Sequence, residues 1–352
     1  MASLEDVAAL ASVSTATVSR VLSRSTHPVA ENTRQRVLTA ARSIDFEPNL
    51  LASALARNRT QVVAVIVHDV MDEYFSEIAR GIEDTAYANG YVTLVCNTDR
   101  DPDKEILYLR KLRAMRVDAV LFTAGAVQSR AHGVEVDRQL AQIERAGGVI
   151  VRLAPRSGGQ PDVGYSNRTG LSLAVDHLVD LGHTTIGFLA GPPKITTSVE
   201  RLSAMRSAMK RHQLTLDPAL IFDAGFSRSG GEEAAALFVE ANLPATAVVA
   251  ANDQAAIGFV IGLRSRSISV PGQVSVVGYD DIQPCAYVEP PLTTVHVPLH
   301  DLGGRGMRLA LELLDGHPRP RPTVVPLELT VRSSTAPPQH LITTTPTTGA
   351  SR

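Results

Sequence analysis

The sequence of 352 residues contains no tryptophan, only two cysteines and no long uninterrupted apolar segment. Cys96 and Cys285 are far apart in the sequence, which excludes the closely spaced pairs of a metal-binding motif or a disulfide framework. A membrane-spanning helix needs ~20 consecutive apolar residues, and their absence argues against a membrane protein. Glu5 and Asp6 stand where a signal peptide requires apolar residues. We therefore expect a soluble, cytoplasmic protein.

The sequence also lacks a marked excess of either charge, with 34 Lys and Arg against 36 Asp and Glu. Residues 1–60 hold seven Arg, no Lys and five acidic residues, which gives this segment a net charge of +2. So small an excess does not by itself indicate nucleic-acid binding, because phosphate binding depends on where the positive charges cluster. The length suits two or three domains of about 100 to 200 residues each.

From Val62 onward, apolar segments of strand length alternate with segments of helical periodicity. The strand-like segments are VVAVIV, YVTLVC, VDAVLF and GVIVRL, followed after a pause at residues 156–161 by TTIGFLAG, ALIF, TAVVAA and VSVVGY. Strands that alternate with helices indicate right-handed crossovers and a parallel sheet. The pattern predicts two doubly wound, parallel-sheet α/β subdomains with a cleft between them.

Polar and aromatic residues follow the predicted strands at their carboxyl ends, where sheets of this type bind ligands. The residues at these positions include Asp69, Asp72, Asn97, Thr197, Phe226, Asn252, Asp253, Asp280 and Asp281. Their convergence at the cleft is typical of a small-molecule site.

Three short helices are predicted at the amino terminus, over Leu4–Ala11, Ser14–Leu22 and Thr33–Ser43. The break between the first two predicts the tight corner of a helix-turn-helix, whose second helix lies in the major groove of DNA. The outward residues of that second helix are Thr15, Ala16, Thr17, Ser19 and Arg20. Their hydroxyl, methyl and guanidinium groups suit contacts with phosphates and base edges. The alternative interpretation is a small helical cap with solvated Ser and Thr.

The segment NLLASALA, at 49–56, is too short to form a stable helix alone in water. Leu51 and Leu55 are spaced so that they can pack against a second copy while an apolar side chain enters the minor groove. A plain linker helix is the alternative.

Several longer motifs occur along the chain: LEDVAALASVSTATVSRVLS, VAENTRQRVLTAA, EPNLLASALA, RGIEDTAYANGY, HLVDLGHTTIGFLAGP, VVAANDQAAIGF and VSVVGYDDI followed by PPLTTV. Together these motifs closely resemble the lactose repressor and galactose repressor family of bacterial transcription regulators. The resemblance extends from residue 3 to about residue 333. It implies a helix-turn-helix domain, a hinge helix and a periplasmic-binding-protein-like core.

By this resemblance, Thr15, Ala16 and Arg20 stand at base-reading positions. Leu55 stands at the intercalating position of the hinge helix, with Ala52 and Ala56 beside it on the minor-groove face. Two departures weaken local structure without changing the assignment: Ser12 replaces the usual turn glycine, and Ala30 replaces the serine that caps the third helix.

The resemblance also implies an effector site in the cleft. Its expected residues are Asp72, Tyr74, Phe75, Thr197, Arg201, Phe226, Asn252 and Asp280. Five of them have a structural alternative: Tyr74 and Phe75 are also suited to the core, Asn252 and Asp280 to capping turns, and Arg201 to an internal salt bridge.

Arg152 stands where many sugar-responsive members of the family have an aspartate. A guanidinium there favours a phosphorylated or carboxylated effector, or alternatively pairs with Asp72. We include Arg152 among the expected effector-binding residues.

The resulting prediction is a repressor that binds a palindromic DNA operator as a homodimer under allosteric control by a sugar, sugar phosphate or similar effector. The alternative is a two-lobed solute-binding or sensor protein, and no nucleophile elbow, phosphate loop or metal cluster indicates an enzyme. We predict no cofactor, no metal and no membrane partner.

The expected domains are residues 1–47 (helix-turn-helix), 48–60 (hinge), 61–335 (core) and 336–352 (disordered tail). Within the core, the first lobe is about 61–163 with 292–322, and the second 164–291 with 323–335.

Overall fold

The computed structural model describes residues 2–22, 29–46, 59–156, 159–242 and 244–339. The predicted hinge helix, including Ala52, Leu55 and Ala56, lies outside these ranges, and so does the predicted tail from residue 340 onward. Ala336 was expected in that tail, but the structure ties it to the core, because its carbonyl accepts hydrogen bonds from His183 and Ser275 at 2.9 and 3.0 Å. In the described part of the chain, no helix is long and apolar enough to cross a membrane.

The amino-terminal helices are α1 (Leu4–Ala11), α2 (Thr15–Leu22) and α3 (Glu31–Ser43). The corner after α1 is formed at Ser12, whose φ of 51° places it in the left-handed region that glycine usually occupies. Ser14 then accepts a hydrogen bond from the Thr17 amide and begins α2. Ala30 provides no side-chain cap for α3. The structure therefore contains the predicted corner, the left-handed backbone at Ser12 and the uncapped start of α3 at Ala30.

The first lobe begins with β1 (Val62–Val67), α4 (Glu73–Ala88), β2 (Val92–Asn97), α5 (Pro102–Met115), β3 (Ala119–Phe122), α6 (Arg130–Arg145) and β4 (Val149–Arg152). Its four strands form a parallel sheet in the order β2-β1-β3-β4. Val63, Val65 and Val67 pack in one core cluster, whereas Ala64 and Ile66 pack in another. Both faces of β1 are therefore buried, which explains why its sequence is continuously apolar.

The rest of the chain forms β5 (Val163–Gly164), α7 (Asn167–Asp180), β6 (Ile186–Ala190), α8 (Thr196–Arg211), β7 (Ile221–Asp223), α9 (Arg228–Ala241), β8 (Ala247–Ala250), α10 (Asp253–Arg264), β9 (Ser275–Asp280), β10 (Thr293–His296), α11 (Leu299–Leu314), β11 (Thr323–Val324) and β12 (Glu328–Thr330). The second lobe contains a six-stranded sheet in the order β12-β10-β9-β8-β6-β7, in which only β12 is antiparallel among the described strands. Helix α11 packs on α4 and belongs to the first lobe, while β11 pairs with β5 between the lobes. The predicted fold class is confirmed.

The return of the chain to the first lobe differs from the predicted boundary at 292. Strand β10 pairs in parallel with β9, with His296 opposite Asp280, so residues 293–296 complete the second sheet before the chain crosses. Helix α11 then joins the first lobe, where Gly81 and Gly303 let the backbones of α4 and α11 approach more closely than any Cβ would permit.

Candidate functional site

The DNA-facing prediction concerns α2, whose inner face is held by a small apolar core that includes Val7, Val18, Val21 and Val37. This packing leaves the opposite face of α2 exposed. The exposed residues there are Thr15, Ala16, Ser19 and Arg20. Thr17 is half-buried, and its hydroxyl lies 3.0 Å from that of Ser14. The structure thus presents four of the five predicted residues outward and turns Thr17 partly toward the helix start.

Two cavities lie between the lobes of the core. The larger is an open crevice of about 1120 Å³ along α6, α8 and the segment around residue 160, and none of the predicted effector residues lines it. The smaller has a volume of about 50 Å³ and lies at the carboxyl ends of the strands. Small-molecule pockets usually measure about 300–1,000 Å³, so this cavity is narrow in the present arrangement.

The small cavity brings together eight of the nine predicted effector residues. They are Asp72, Tyr74, Phe75, Thr197, Arg201, Phe226, Asn252 and Asp280. The remaining lining residues are His68, Arg100, Thr123, Ala124, Gly125 and Ile195. Because aromatic rings, carboxylates, an amide and guanidinium groups converge here, we take this cavity as the candidate effector site.

Arg201 organises the second-lobe wall of the cavity. Its Nη2 donates to Asp280 Oδ1 at 2.9 Å and to the Tyr165 hydroxyl at 3.0 Å, and its Nε donates to Asn167 Oδ1 at 3.1 Å. The Ala251 carbonyl accepts a further bond from Nη1. Burial raises the pKa of Asp280, and the Arg201 guanidinium opposes that rise. The salt bridge weighed for Arg201 is thus present within the cavity wall itself.

Phe226 forms an aromatic surface in this wall. Its ring lies over Gly191, where any Cβ would collide with it, and its backbone has a φ of 60°. Asn252 holds the neighbouring backbone by donating to the Phe226 carbonyl at 3.2 Å, and it also caps α10. The capping role considered for Asn252 is therefore real, and it positions Phe226 at the same time.

Tyr74 and Phe75 begin α4 on the opposite wall, with their rings edge to face at 4.9 Å. Phe75 is buried in the core, as its structural alternative anticipated, and still contacts the cavity. The Tyr74 hydroxyl lies 3.0 Å from that of Tyr165, so it links the two lobes directly.

Two titratable groups of the first-lobe wall are strongly perturbed. Burial raises the pKa of Asp72 to about 6, although the Tyr74 amide and the Arg100 charge act against this rise. Burial, together with the charge of Arg100, lowers the pKa of His68 to about 4. His68 is therefore neutral at pH 7, with its ring bonded to Thr98 and to the Gly125 carbonyl.

The sequence interpretation missed His68 and Arg100. Both follow strands, His68 directly after β1 and Arg100 three residues after β2, so a full list of residues at strand ends would have included them.

The sequence interpretation was wrong about Arg152, which does not line the cavity. Ile150 packs on the α5 and α6 face of the sheet, and Arg152, two residues further along the same strand, lies on that face and not toward the cleft. The cation that acts on Asp72 from the same wall is Arg100.

Comparisons with known proteins agree with this architecture. Residues 3–49 match the family described as "Bacterial regulatory proteins, lacI family", and residues 175–335 match "Periplasmic binding protein-like domain". The HTH-type transcriptional regulator DegA of Bacillus subtilis (strain 168) is 33% identical over 338 residues, which cover 94% of this chain and 97% of DegA. This relative is a transcriptional regulator.

Two solved structures are similar over 95% of the chain. The Lac repressor dimer bound to operator and the anti-inducer ONPF has a TM-score of 0.81 and 26% identity, with 99% of its chain covered. The complex of the transcriptional regulator CelR with cellobiose has a TM-score of 0.70 and 27% identity, with 100% of its chain covered.

Proposed function

Because the chain belongs to the LacI family of bacterial transcription regulators, we propose that it is a repressor that binds a palindromic operator as a homodimer. A small molecule in the cavity between the lobes, a sugar or a related metabolite, controls its affinity for DNA. One observation carries this proposal: a chain with an exposed recognition helix also gathers eight predicted effector residues around a single cavity.

The dimer is proposed because a two-fold symmetric protein places two recognition helices in successive major grooves of a palindromic site. Thr15, Ala16 and Arg20 read base edges in this scheme. Leu55, with Ala52 and Ala56, enters the minor groove between the half-sites. The similar Lac repressor structure, a dimer on its operator, supports this arrangement.

Allosteric control follows from the position of the cavity. Backbone hydrogen bonds cross between the lobes beside it, from Gln128 to the Lys194 carbonyl at 2.7 Å and from Thr196 to the Ala126 carbonyl at 3.1 Å. The chain leading from the DNA-binding domain enters the first lobe at Thr60, whose amide donates to Asp118. An effector larger than the present cavity changes the spacing of the lobes. This change shifts the position of the first lobe, to which the DNA-binding segment is attached.

A sugar-like effector fits the chemistry of the second-lobe wall. The ring of Phe226 offers an apolar face, while Asn252 and Asp280 offer an amide and a carboxylate for hydroxyl groups. The similar CelR structure contains cellobiose, which supports the same class of ligand.

The DNA-binding part is tested by selecting operators from a random DNA library with the purified full chain. Arg20→Ala should weaken binding to the selected site by about 10- to 100-fold, since one bidentate Arg–guanine contact discriminates by about 1–3 kcal/mol. Arg42→Ala, which removes the same charge from an exposed position on α3, is the control. If no sequence preference emerges at any salt concentration and Arg20→Ala binds like the parent, the proposal fails.

The effector-binding part is tested by screening metabolites for release or strengthening of the operator complex. Phe226→Ala should abolish the response and leave operator binding intact. Tyr287→Ala, which removes an exposed aromatic residue from the same lobe, should change neither. An unaltered response in Phe226→Ala would move the effector site out of this cavity.

A further inference from the structure

Arg100 reaches the cavity through an unusual backbone path. Asp99 and Arg100 have φ angles of 53° and 58°, both in the left-handed region, although neither is glycine. Such conformations cost free energy and persist where the surrounding structure enforces them. The turn they form precedes α5 and directs the Arg100 side chain into the cavity beside His68 and Asp72.

The acidic residues adjacent to Arg100 are already engaged with other groups. The Asp99 carboxylate binds Lys104 and Asn97. Asp101 caps α5 by accepting from the Asp103 and Lys104 amides, and Asp72 Oδ1 accepts from the Tyr74 amide at 3.1 Å. Each carboxylate therefore has a structural partner other than Arg100.

The guanidinium of Arg100 is incompletely satisfied as a result. Its Nε is buried and has no hydrogen-bond partner among the described residues. The other guanidinium of the cavity, on Arg201, differs in this respect, because protein oxygens accept from all three of its nitrogens. A buried donor of a charged group without an acceptor is costly, and an oxyanion is the ligand that satisfies it.

We propose that the effector carries a carboxylate or phosphate group, and that Arg100 binds this group through its Nε and one Nη. The planar fork of a guanidinium matches two oxygens of either anion. The uncharged part of the effector then extends across the cavity toward Phe226 and Asn252. This inference rests on the proposed function, since it names the class of effector that the same cavity binds.

The test uses matched pairs of ligands that differ in one charged group: glucose with glucose 6-phosphate, glucose with glucuronate, and ribose with ribose 5-phosphate. Binding to the full chain without DNA is measured by calorimetric titration. In a second arm, inorganic phosphate is added at constant ionic strength and the Tm is followed. The proteins are wild type, Arg100→Gln, Arg100→Lys and, as control, Arg145→Gln, which alters an exposed arginine at the end of α6.

We expect at least one charged ligand to bind about 10- to 100-fold more tightly than its neutral counterpart, and phosphate to raise the Tm. Arg100→Gln should abolish both effects, and Arg100→Lys should retain part of them because it keeps the charge without the fork. Without ligand, Arg100→Gln should still fold cooperatively, since no hydrogen bond of Nε is lost. Arg145→Gln should behave as wild type.

The inference is overturned if, in all three pairs, the neutral sugar binds as well as its charged counterpart, or if the preference for anions and the effect of phosphate survive in Arg100→Gln. It is also overturned if neither the charged ligands nor phosphate bind. These results are separable from the proposed function, because titration without DNA reports on Arg100 whether or not the operator complex responds. If Phe226→Ala loses the effector response while Arg100→Gln keeps it, the cavity remains the effector site but the proposed anionic group of the effector is rejected.

Discussion

The two walls of the cavity differ in how completely their polar groups are satisfied. On the second-lobe wall, Arg201 donates hydrogen bonds to the Asp280 carboxylate and to a backbone carbonyl, and Asn252 donates to another backbone carbonyl. On the first-lobe wall, the buried Asp72 carboxylate has no hydrogen-bonded cation among the described residues, and the Nε of Arg100 has no hydrogen-bond partner among them.

This difference separates a preorganised platform from a wall that is electrostatically unsatisfied without ligand. Preorganised groups hold a ligand without first having to be ordered, whereas unsatisfied groups make binding sensitive to the charge of the ligand. The second wall therefore sets where the effector lies, and the first wall sets which effector is preferred.

The largest effect is expected from Arg201→Met on the second wall. It leaves the Asp280 carboxylate buried without its cation and should lower the free energy of unfolding by about 3–5 kcal/mol in urea titration. Arg80→Met, which breaks an exposed pair with Asp84, should change the free energy of unfolding far less.

The double variant Arg201→Met with Asp280→Leu should recover part of the loss, because both charges of the pair are removed together. If Arg201→Met were no more damaging than Arg80→Met, the second wall would not be the rigid platform described above.

Asp72→Asn tests the first wall, and it should stabilise the protein. Burial raises the folded pKa to about 6, so the folded protein binds a proton that the unfolded chain releases, and the native state bears a cost at higher pH. The gain should be about 1–3 kcal/mol at pH 8 and should diminish as the pH falls through 6 toward 4. Asparagine keeps the cap of α4, since its side-chain oxygen also accepts from the Tyr74 amide.

The charged and titratable groups around Asp72 are Asp69, Glu73, His68 and Arg100 on its own wall, and the Arg201–Asp280 pair opposite. The matched control is Asp217→Asn, because Asp217 makes the same bond to the amide two residues on but is exposed. A gain in Asp72→Asn that is equal at pH 8 and pH 4 would show that Asp72 is not held at a raised pKa.

Prediction from sequence succeeded for the platform better than for the unsatisfied wall. Phe226, Asn252 and Asp280 follow strands that read as unbroken apolar segments, so the parallel-sheet rule places them at the cleft. Arg100 was missed because the direction of its side chain depends on two successive residues in the left-handed region, and no glycine in the sequence indicates this conformation. Arg152 was misplaced because a shift of one position along a strand exchanges the two faces of the sheet.

The smallest effect is expected from Tyr74→Phe, which removes the hydroxyl contact with Tyr165 across the walls. A hydrogen bond of this kind contributes about 1 kcal/mol, and its loss should favour separation of the lobes more than global unfolding. We expect hydrogen exchange of the amides of Gln128 and Thr196, which cross between the lobes, to accelerate about fivefold. Tyr87→Phe, an exposed position on the same helix, is the control. Equal exchange in the two variants would mean that other contacts hold the walls together. In that case only effector binding could reveal the difference between the second-lobe and first-lobe walls.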